Sequence, residues 1–517
     1  MQSYALTVDK FLDHAAKWWG DREVVTAGSG RLSYAALRVR SNKLSGAFKA
    51  LGLVLGDRIA TLAWNTQHHL EVYYGAMGAG FVCHTLNPRL TVSHLAAMVN
   101  EAEDRVLMVG TGLADLAREL VLCCPCVDTV VLMDEAPSQT IGNCQTFAFE
   151  TLLATLGAET AWGAFQEETN AGLCYTSGTT GSPKGVLYTH RSNYLHTLRA
   201  LQADAMALTL DDSVLVAVPM FHANGWGLAF AGPAVGAKLV LPGRNSDGAH
   251  LAKLIRDEGV TIAAGVQTVW LGLLDHLDAT GGDVPTLERV IIGGSRCPDA
   301  LIQRMEERLH ARVQTSWGMT ELSPLGTIAP PRGRERATAS GRPPVGLDLK
   351  LTDAAGKTLA RQRSAIGHLK AKGASAVQRY FKADKDLVDD GGYFDTGDLA
   401  IIDDDGNLTI TGRSKDLIKS GGEWINPAEI ENLIGRLPGV GQVAVIGRTD
   451  AKWGERPILI VEPQKSRTLD DVALLDALRG NVADWWIPDE VIQVEHMPLA
   501  ATGKIDKNRL RAEYATA

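Results

Sequence analysis

Short apolar runs alternate with stretches of helical period along most of the chain. Residues 58–63, Arg-Ile-Ala-Thr-Leu-Ala, read as a buried strand, and a helical pattern follows over 68–80. Residues 212–219, 237–241, 259–264 and 287–294 read as further strands, with helices over 249–258 and 299–309 between or after them. Strands that are apolar throughout, alternating with helices, imply parallel sheets covered on both faces, hence an α/β architecture. The pattern changes after about residue 345, where short strands and Asp/Gly turns take over. Asp403 to Gly412 reads as a hairpin turning on Asp405-Gly406. Beyond Arg413 comes a compact tail with a helix over 427–437, strands over 442–447 and 457–462, and a helix over 469–482. The sequence contains no internal repeat and no low-complexity segment.

A chain of 517 residues exceeds the size at which one core keeps growing, so at least two domains are expected. Hydrophobic residues make up 45% and charged residues 21%, as in ordinary globular proteins. The net charge of −9 offers nucleic acid or an anionic membrane no attraction. The first ten residues lack a signal pattern, no apolar run reaches membrane-span length, and the end Tyr-Ala-Thr-Ala matches no targeting address. A cytoplasmic enzyme is expected, with no nucleic-acid partner, no membrane span, and a homodimer as a compatible assembly. Seven cysteines do not make a disulfide framework. Cys123-Cys124-Pro125-Cys126 lacks a second ligand pair nearby and reads as a helix-to-strand connection.

The most informative run is Leu173-Cys-Tyr-Thr-Ser-Gly-Thr-Thr-Gly-Ser-Pro-Lys-Gly-Val186, in which a strand enters a loop rich in glycine and hydroxyls. Gly178, Gly181 and Gly185 allow close backbone approach, Thr176, Ser177, Thr179 and Thr180 bring hydroxyl donors, and Lys184 brings positive charge. That inventory suits a polyphosphate. Pro183 and Gly185 flank the lysine, unlike the common phosphate loop that opens a helix.

Four more segments follow in order: Trp317-Gly-Met-Thr-Glu321, Tyr393-Phe-Asp-Thr-Gly-Asp398, Gly412 to Glu431, and Leu499-Ala-Ala-Thr-Gly-Lys504. Together with the loop they resemble the adenylate-forming superfamily of acyl-CoA synthetases, luciferases and peptide-synthetase adenylation domains, and the resemblance spans essentially the whole chain. It implies a large multi-sheet α/β N-terminal domain, 1–414, and a small mobile α+β C-terminal domain, 415–517, hinged at Lys415. It implies nucleotide contacts at Thr176, Ser177, Gly178, Thr179, Thr180, Lys184, Gly294, Ser295, Trp317, Gly318, Asp398 and Arg413. Trp317 would stack on adenine and Asp398 would accept hydrogen bonds from the ribose. The family usually has Tyr at 317, so a phenolic hydrogen bond is expected to be lost. Mg²⁺ would be held by Thr180 and Glu321, with Thr320 reaching a phosphate. Lys504 would be the mobile catalytic lysine. Gly421, Gly422 and Trp424 would border the entry of the CoA thiol arm. Asn426-Pro427 also has helix-starting chemistry in its own right.

Phe221-His222-Ala-Asn-Gly-Trp226 bears on the acid. Amino-acid-activating relatives place an Asp after the Phe to pair the substrate ammonium; His222 stands there and is expected to gate the acyl carboxylate. Trp226, Val266, Gln267, Gly293 and Met319 are expected to wall the acyl pocket, with Gln267 where relatives often have Pro. Gly367-His368 replaces a frequent Gly-Glu at a position expected to lie away from the chemistry. Residues 86–90 and 485–489 resemble the branch that handles medium-chain fatty acids and 3-methylmercaptopropionate. The resemblance thus implies an ATP- and CoA-dependent, Mg²⁺-assisted ligase of a short- to medium-chain, thioether or branched acid. Aryl-CoA ligation, loading of a carrier protein and a luciferase-like oxygenation remain alternatives.

Overall fold

The computed structural model describes residues 1–134, 140–176, 183–332, 339–421, 423–464, 467–500 and 504–515. Among these residues it contains sheets of eight, seven, four and five strands. The eight-stranded sheet runs Leu325–Ile328, Arg312–Gly318, Arg289–Gly293, Ile262–Val266, Ser213–Val216, Lys238–Leu241, Glu23–Thr26, Gly30–Ser33. Only its two outermost pairs are antiparallel. The seven-stranded sheet runs Gln145–Ala148, Thr129–Leu132, Val106–Val109, Arg58–Leu62, Val82–Leu86, Asn170–Tyr175, Gly185–Thr189, parallel except for the last pair.

The two large sheets sandwich a shared core. Val214 and Val216 point into it while Leu215 joins a second cluster beneath the outer helices Gly248–Asp257, Gln267–Thr280 and Asp299–Leu309. Both faces are therefore dry, which is why the strands read as unbroken apolar runs rather than as alternation. Each fully buried Val, Leu or Ile contributes about 1.5–3 kcal/mol. Several helices begin where polar caps supply acceptors. Thr66 accepts from the His69 amide ahead of Gln67–Gly78, and Asp247 accepts from the His250 amide ahead of Gly248–Asp257. Cys123 to Cys126 lies between the helix Ala114–Leu122 and the strand Thr129–Leu132, the connection expected.

The four-stranded antiparallel sheet, Leu347–Thr352, Gly367–Gly373, Phe394–Ile402 and Leu408–Arg413, packs against Trp317 and Leu322. Its last hairpin turns through Asp405-Gly406, with Gly406 at φ +86°. The chain then enters the five-stranded sheet of a separate C-terminal domain, formed by Ile418–Ser420, Glu423–Ile425, Val440–Asp450, Gly454–Pro463 and Val491–Gln493. Val445 faces the helices Pro427–Ile434 and Asp471–Asp476, while Ala444 and Ile446 face the helix Lys507–Tyr514.

One expectation needs correction. The helix expected over 469–482 is only Asp471–Asp476, because Gly480 adopts a left-handed φ of +74° and the chain turns away. Thr396-Gly397-Asp398 lies inside the strand Phe394–Ile402, where Gly397 has φ +71°. Among the described residues no helix is long and apolar enough to cross a membrane.

Candidate active site

The phosphate-loop segment joins the antiparallel pair Asn170–Tyr175 and Gly185–Thr189, and its base is closed by the Thr176 amide donating to the Lys184 carbonyl at 2.9 Å. Ser177, Gly178, Thr179 and Thr180 lie outside the described residues, as does Gly422. Gly185 allows close packing: a Cβ there would lie 2.9 Å from that of Phe381.

From this base a chain of contacts leads to the second motif. Lys184 Nζ sits 5.1 Å from the centroid of the Tyr380 ring, and the Tyr380 hydroxyl donates to Glu321 Oε1 at 2.8 Å. Glu321 and Thr320 are both buried, in the short turn Thr320–Leu322 that follows the strand Arg312–Gly318. Buried Tyr188 donates to the Thr320 carbonyl at 2.8 Å and ties this turn to the strand after the phosphate loop. Gly318 makes the strand end possible, since any Cβ would fall 2.3 Å from the Pro324 carbonyl oxygen.

The third element follows from sheet register. The hairpin through Asp405-Gly406 sets Asp398 directly opposite Arg413, and their side chains pair, Arg413 Nε to Asp398 Oδ1, at 3.0 Å. Asp398 is 2% exposed. Its other oxygen accepts a 2.8 Å hydrogen bond from the Trp317 indole. Trp317 has no phenol, and its indole N–H is the donor aimed at Asp398. Burial pushes the Asp398 carboxyl above the usual range, against the pull of Arg413, Trp317 and Lys504.

Lys504 arrives from the C-terminal domain, in a turn where the Ala500 amide donates to the Lys504 carbonyl at 2.7 Å. Its Cε lies 3.6 Å from where a Cβ of Gly294 would stand, and Gly294 itself has φ +89°. The side chain enters a cleft dense with protein but still open to water. Crowding and the Arg413 charge push the ammonium pKa down to about 8, while Asp398 and Glu321 pull it up. His222, half-buried on the other side, is pushed down to about 4 by burial and the Lys504 charge, so it is neutral at pH 7.

Two of the acyl-pocket candidates, Trp226 and Val266, meet at the adjacent glycines Gly293 and Gly294. A Cβ on Gly293 would lie 3.0 Å from the Trp226 ring and 2.6 Å from Ser316 Oγ, and one on Gly294 would lie 3.4 Å from Val266 Cγ1. Gln267 begins the helix Gln267–Thr280, and Met319 packs against clusters on both sides of the Thr320–Leu322 turn. Trp226 is held by unusual backbone. Ala223, Asn224, Gly225, Trp226 and Gly227 all have positive φ, from 45° to 79°, making one left-handed turn. Such a conformation costs non-glycine residues roughly 1–2 kcal/mol each. The His196 ring, 2.8 Å from a Cβ on Gly227, leaves room only for glycine there. Ser295 lines a cavity of about 20 Å³ with Arg296, Ser316, Thr409 and Ile410, space for about one water.

Gly421 and Trp424 are arranged instead on the five-stranded sheet. Gly421 has φ +59°, and a Cβ there would strike the Trp453 ring at 2.7 Å; Trp424 is 53% exposed with Lys419 Nζ over its ring. Lys415 occupies the short turn Ser414–Asp416 between the third and fourth sheets, and Asp416 pairs with Arg511 at 2.6 Å. Asn426 caps the helix Pro427–Ile434 as its chemistry implied, and its amide donates to the Thr411 carbonyl. His368 Nδ1 lies 3.0 Å from Oγ of Ser414, the residue before Lys415. Sequence reasoning missed Tyr380 and Trp453. The one signal for Tyr380 was the aromatic pair Tyr380-Phe381 in an otherwise polar segment.

This chain belongs to the AMP-binding enzyme family, whose model matches residues 12–381, with the AMP-binding enzyme C-terminal domain matching residues 429–504. It is 40% identical to a medium-chain-fatty-acid–CoA ligase of Ectopseudomonas oleovorans, over 99% of this chain and 97% of that protein. It is 39% identical to a 3-methylmercaptopropionyl-CoA ligase of Ruegeria lacuscaerulensis, over 100% of this chain and 99% of that protein. The crystal structure of ATP-bound MatB from Rhodopseudomonas palustris superposes with a TM-score of 0.85, at 26% identity and 99% coverage of both chains.

Proposed function

We propose that the protein is an AMP-forming acyl-CoA ligase. A carboxylate attacks the α-phosphorus of ATP, the bond to the β-phosphate oxygen breaks, and diphosphate leaves. A CoA thiolate then attacks the acyl carbonyl and AMP departs. The observation that carries this reading is the approach of Lys504, from the C-terminal domain, to Gly294 and to the charges of Asp398 and Glu321. Bringing one anion onto another demands cationic stabilisation of the developing charge. An ammonium with a pKa near 8 is mostly protonated at pH 7 and can supply it.

Each remaining residue has a physical role in this reading. Trp317 stacks on adenine, and Asp398 with Arg413 takes the ribose. The loop from Thr176 to Thr180 and Lys184 cradles the phosphates with donors and charge. Glu321, a buried hard-oxygen donor held by Tyr380, fits a divalent cation, and with Thr180 it would hold Mg²⁺. Bound there, Mg²⁺ would neutralise phosphate charge. Neutral His222 borders the carboxylate without competing with Lys504 for a proton. Trp226, Val266, Gln267, Gly293 and Met319 wall the acyl chain. For the second step Lys504 must withdraw, so the chain divides at 414/415, pivots at Lys415 and presents Gly421, Gly422 and Trp424 to CoA.

The substrate class that the relatives support is a short- to medium-chain fatty acid or its thioether analogue. A panel of carboxylic acids scored for AMP release with and without CoA tests the reading. CoA-dependent AMP release with medium-chain or thioether acids is expected. Release independent of CoA, or confined to amino acids, refutes it.

A further inference from the structure

We infer that Trp317 is a positioning residue for the nucleotide sugar, acting through its indole N–H on Asp398. The inference rests on the reading of Asp398 as the ribose ligand. A carboxylate end group turns freely about its last bond unless held. Asp398 is held at both oxygens, Oδ2 by Trp317 Nε1 at 2.8 Å and Oδ1 by Arg413 Nε at 3.0 Å.

The two holders differ in stiffness. Arg413 is a long side chain, 39% exposed. Trp317 is 8% exposed, packed among Leu322, Leu347, Leu369 and Leu408, with its ring so close to Gly326 that a Cβ there would lie 2.3 Å away. The indole is thus the rigid donor that sets the plane of the carboxylate. The backbone beneath is fixed too: the Asp398 amide donates to Thr396 Oγ1 at 3.2 Å, and that hydroxyl donates to the Leu369 carbonyl at 2.7 Å.

A carboxylate offers about four acceptor positions, of which two are taken. The two that remain suit two neighbouring hydroxyls of one sugar. Discrimination between ribose and deoxyribose therefore depends on a tryptophan that need not touch the sugar.

The test is calorimetric binding of AMP, 2′-deoxy-AMP and 3′-deoxy-AMP to the full chain. Trp317→Phe removes the donor. Replacement of Trp317 by benzothienylalanine removes it while keeping the shape of the ring, which guards against misfolding of the smaller variant. Loss of one hydrogen bond to a charged group should weaken AMP about tenfold. The deoxy nucleotides, which already lack a hydroxyl, should weaken less than threefold, so the preference for ribose collapses. An equal weakening of all three nucleotides would overturn the inference and leave Trp317 as a packing and stacking residue. Asp398→Ala separates the two levels. If it weakens all three equally, the ribose reading itself fails; if it is selective for AMP and the Trp317 variants are not, only the positioning role fails.

Discussion

Because Lys504 has an ammonium pKa near 8, adenylate formation should lose rate on the alkaline side of neutrality. The direction follows from the charge that is needed. In the proposed role the protonated lysine stabilises the transition state, so activity is present below the pKa and is lost as pH rises through it. With a pKa of about 8, roughly nine-tenths of the free enzyme is protonated at pH 7 and about one-tenth at pH 9, an approximately tenfold fall in kcat/KM. His222, near 4, stays neutral throughout this window and adds nothing to the limb. Bound ATP brings negative charge that raises the lysine pKa, so the limb in kcat should lie at higher pH than the limb in kcat/KM. The assay is acid-dependent exchange of labelled diphosphate into ATP, from pH 6 to 10. Lys504→Arg, whose guanidinium stays charged, should flatten the limb while lowering the plateau. Lys504→Ala should lower the exchange about 10²–10³-fold at every pH but spare CoA attack on supplied acyl-AMP. An unchanged limb in Lys504→Arg, or equal losses in both half-reactions, would refute the assignment.

Lys415→Pro fixes φ at the turn Ser414–Asp416, so acyl-AMP should accumulate while thioester formation from added acyl-AMP slows; a normal second half-reaction would rule out the pivot. Trp226→Ala opens space beside Gly293, and at about 0.8 kcal/mol per buried methylene the optimum in kcat/KM should move to longer or bulkier acids; an unchanged length profile would remove Trp226 from the pocket. Tyr380→Phe deletes the hydroxyl that donates to Glu321, a hydrogen bond to a charged group, so the Mg²⁺ and ATP concentrations for half-maximal rate should rise about tenfold with the melting temperature little changed. A loss of stability without any change in those concentrations would make Tyr380 purely structural.

Local chemistry determined much of this molecule in a form that could be read directly. Continuous apolar runs specified buried parallel strands because each strand has a dry face on both sides, as Val214, Leu215 and Val216 illustrate. Asp405-Gly406 specified a hairpin, and Asn426-Pro427 a helix start, because a turn or a cap is decided by a few neighbouring residues. The glycine and hydroxyl loop, the Thr-Glu pair and the late lysine were legible as ingredients for the same reason. What only the tertiary structure decided is which ingredients meet. The hairpin register placed Arg413 opposite Asp398, and the packing of two sheets brought the Trp317 indole to the same carboxylate from 81 residues away in sequence. Tyr380 links Lys184 to Glu321 only because the strand after the phosphate loop lies against the segment at Phe381. The left-handed turn at Trp226 was likewise invisible, since surrounding side chains overrode local preference. Contacts between residues far apart in sequence carry no local pattern, because their partners are selected by how the sheets stack and close on one another.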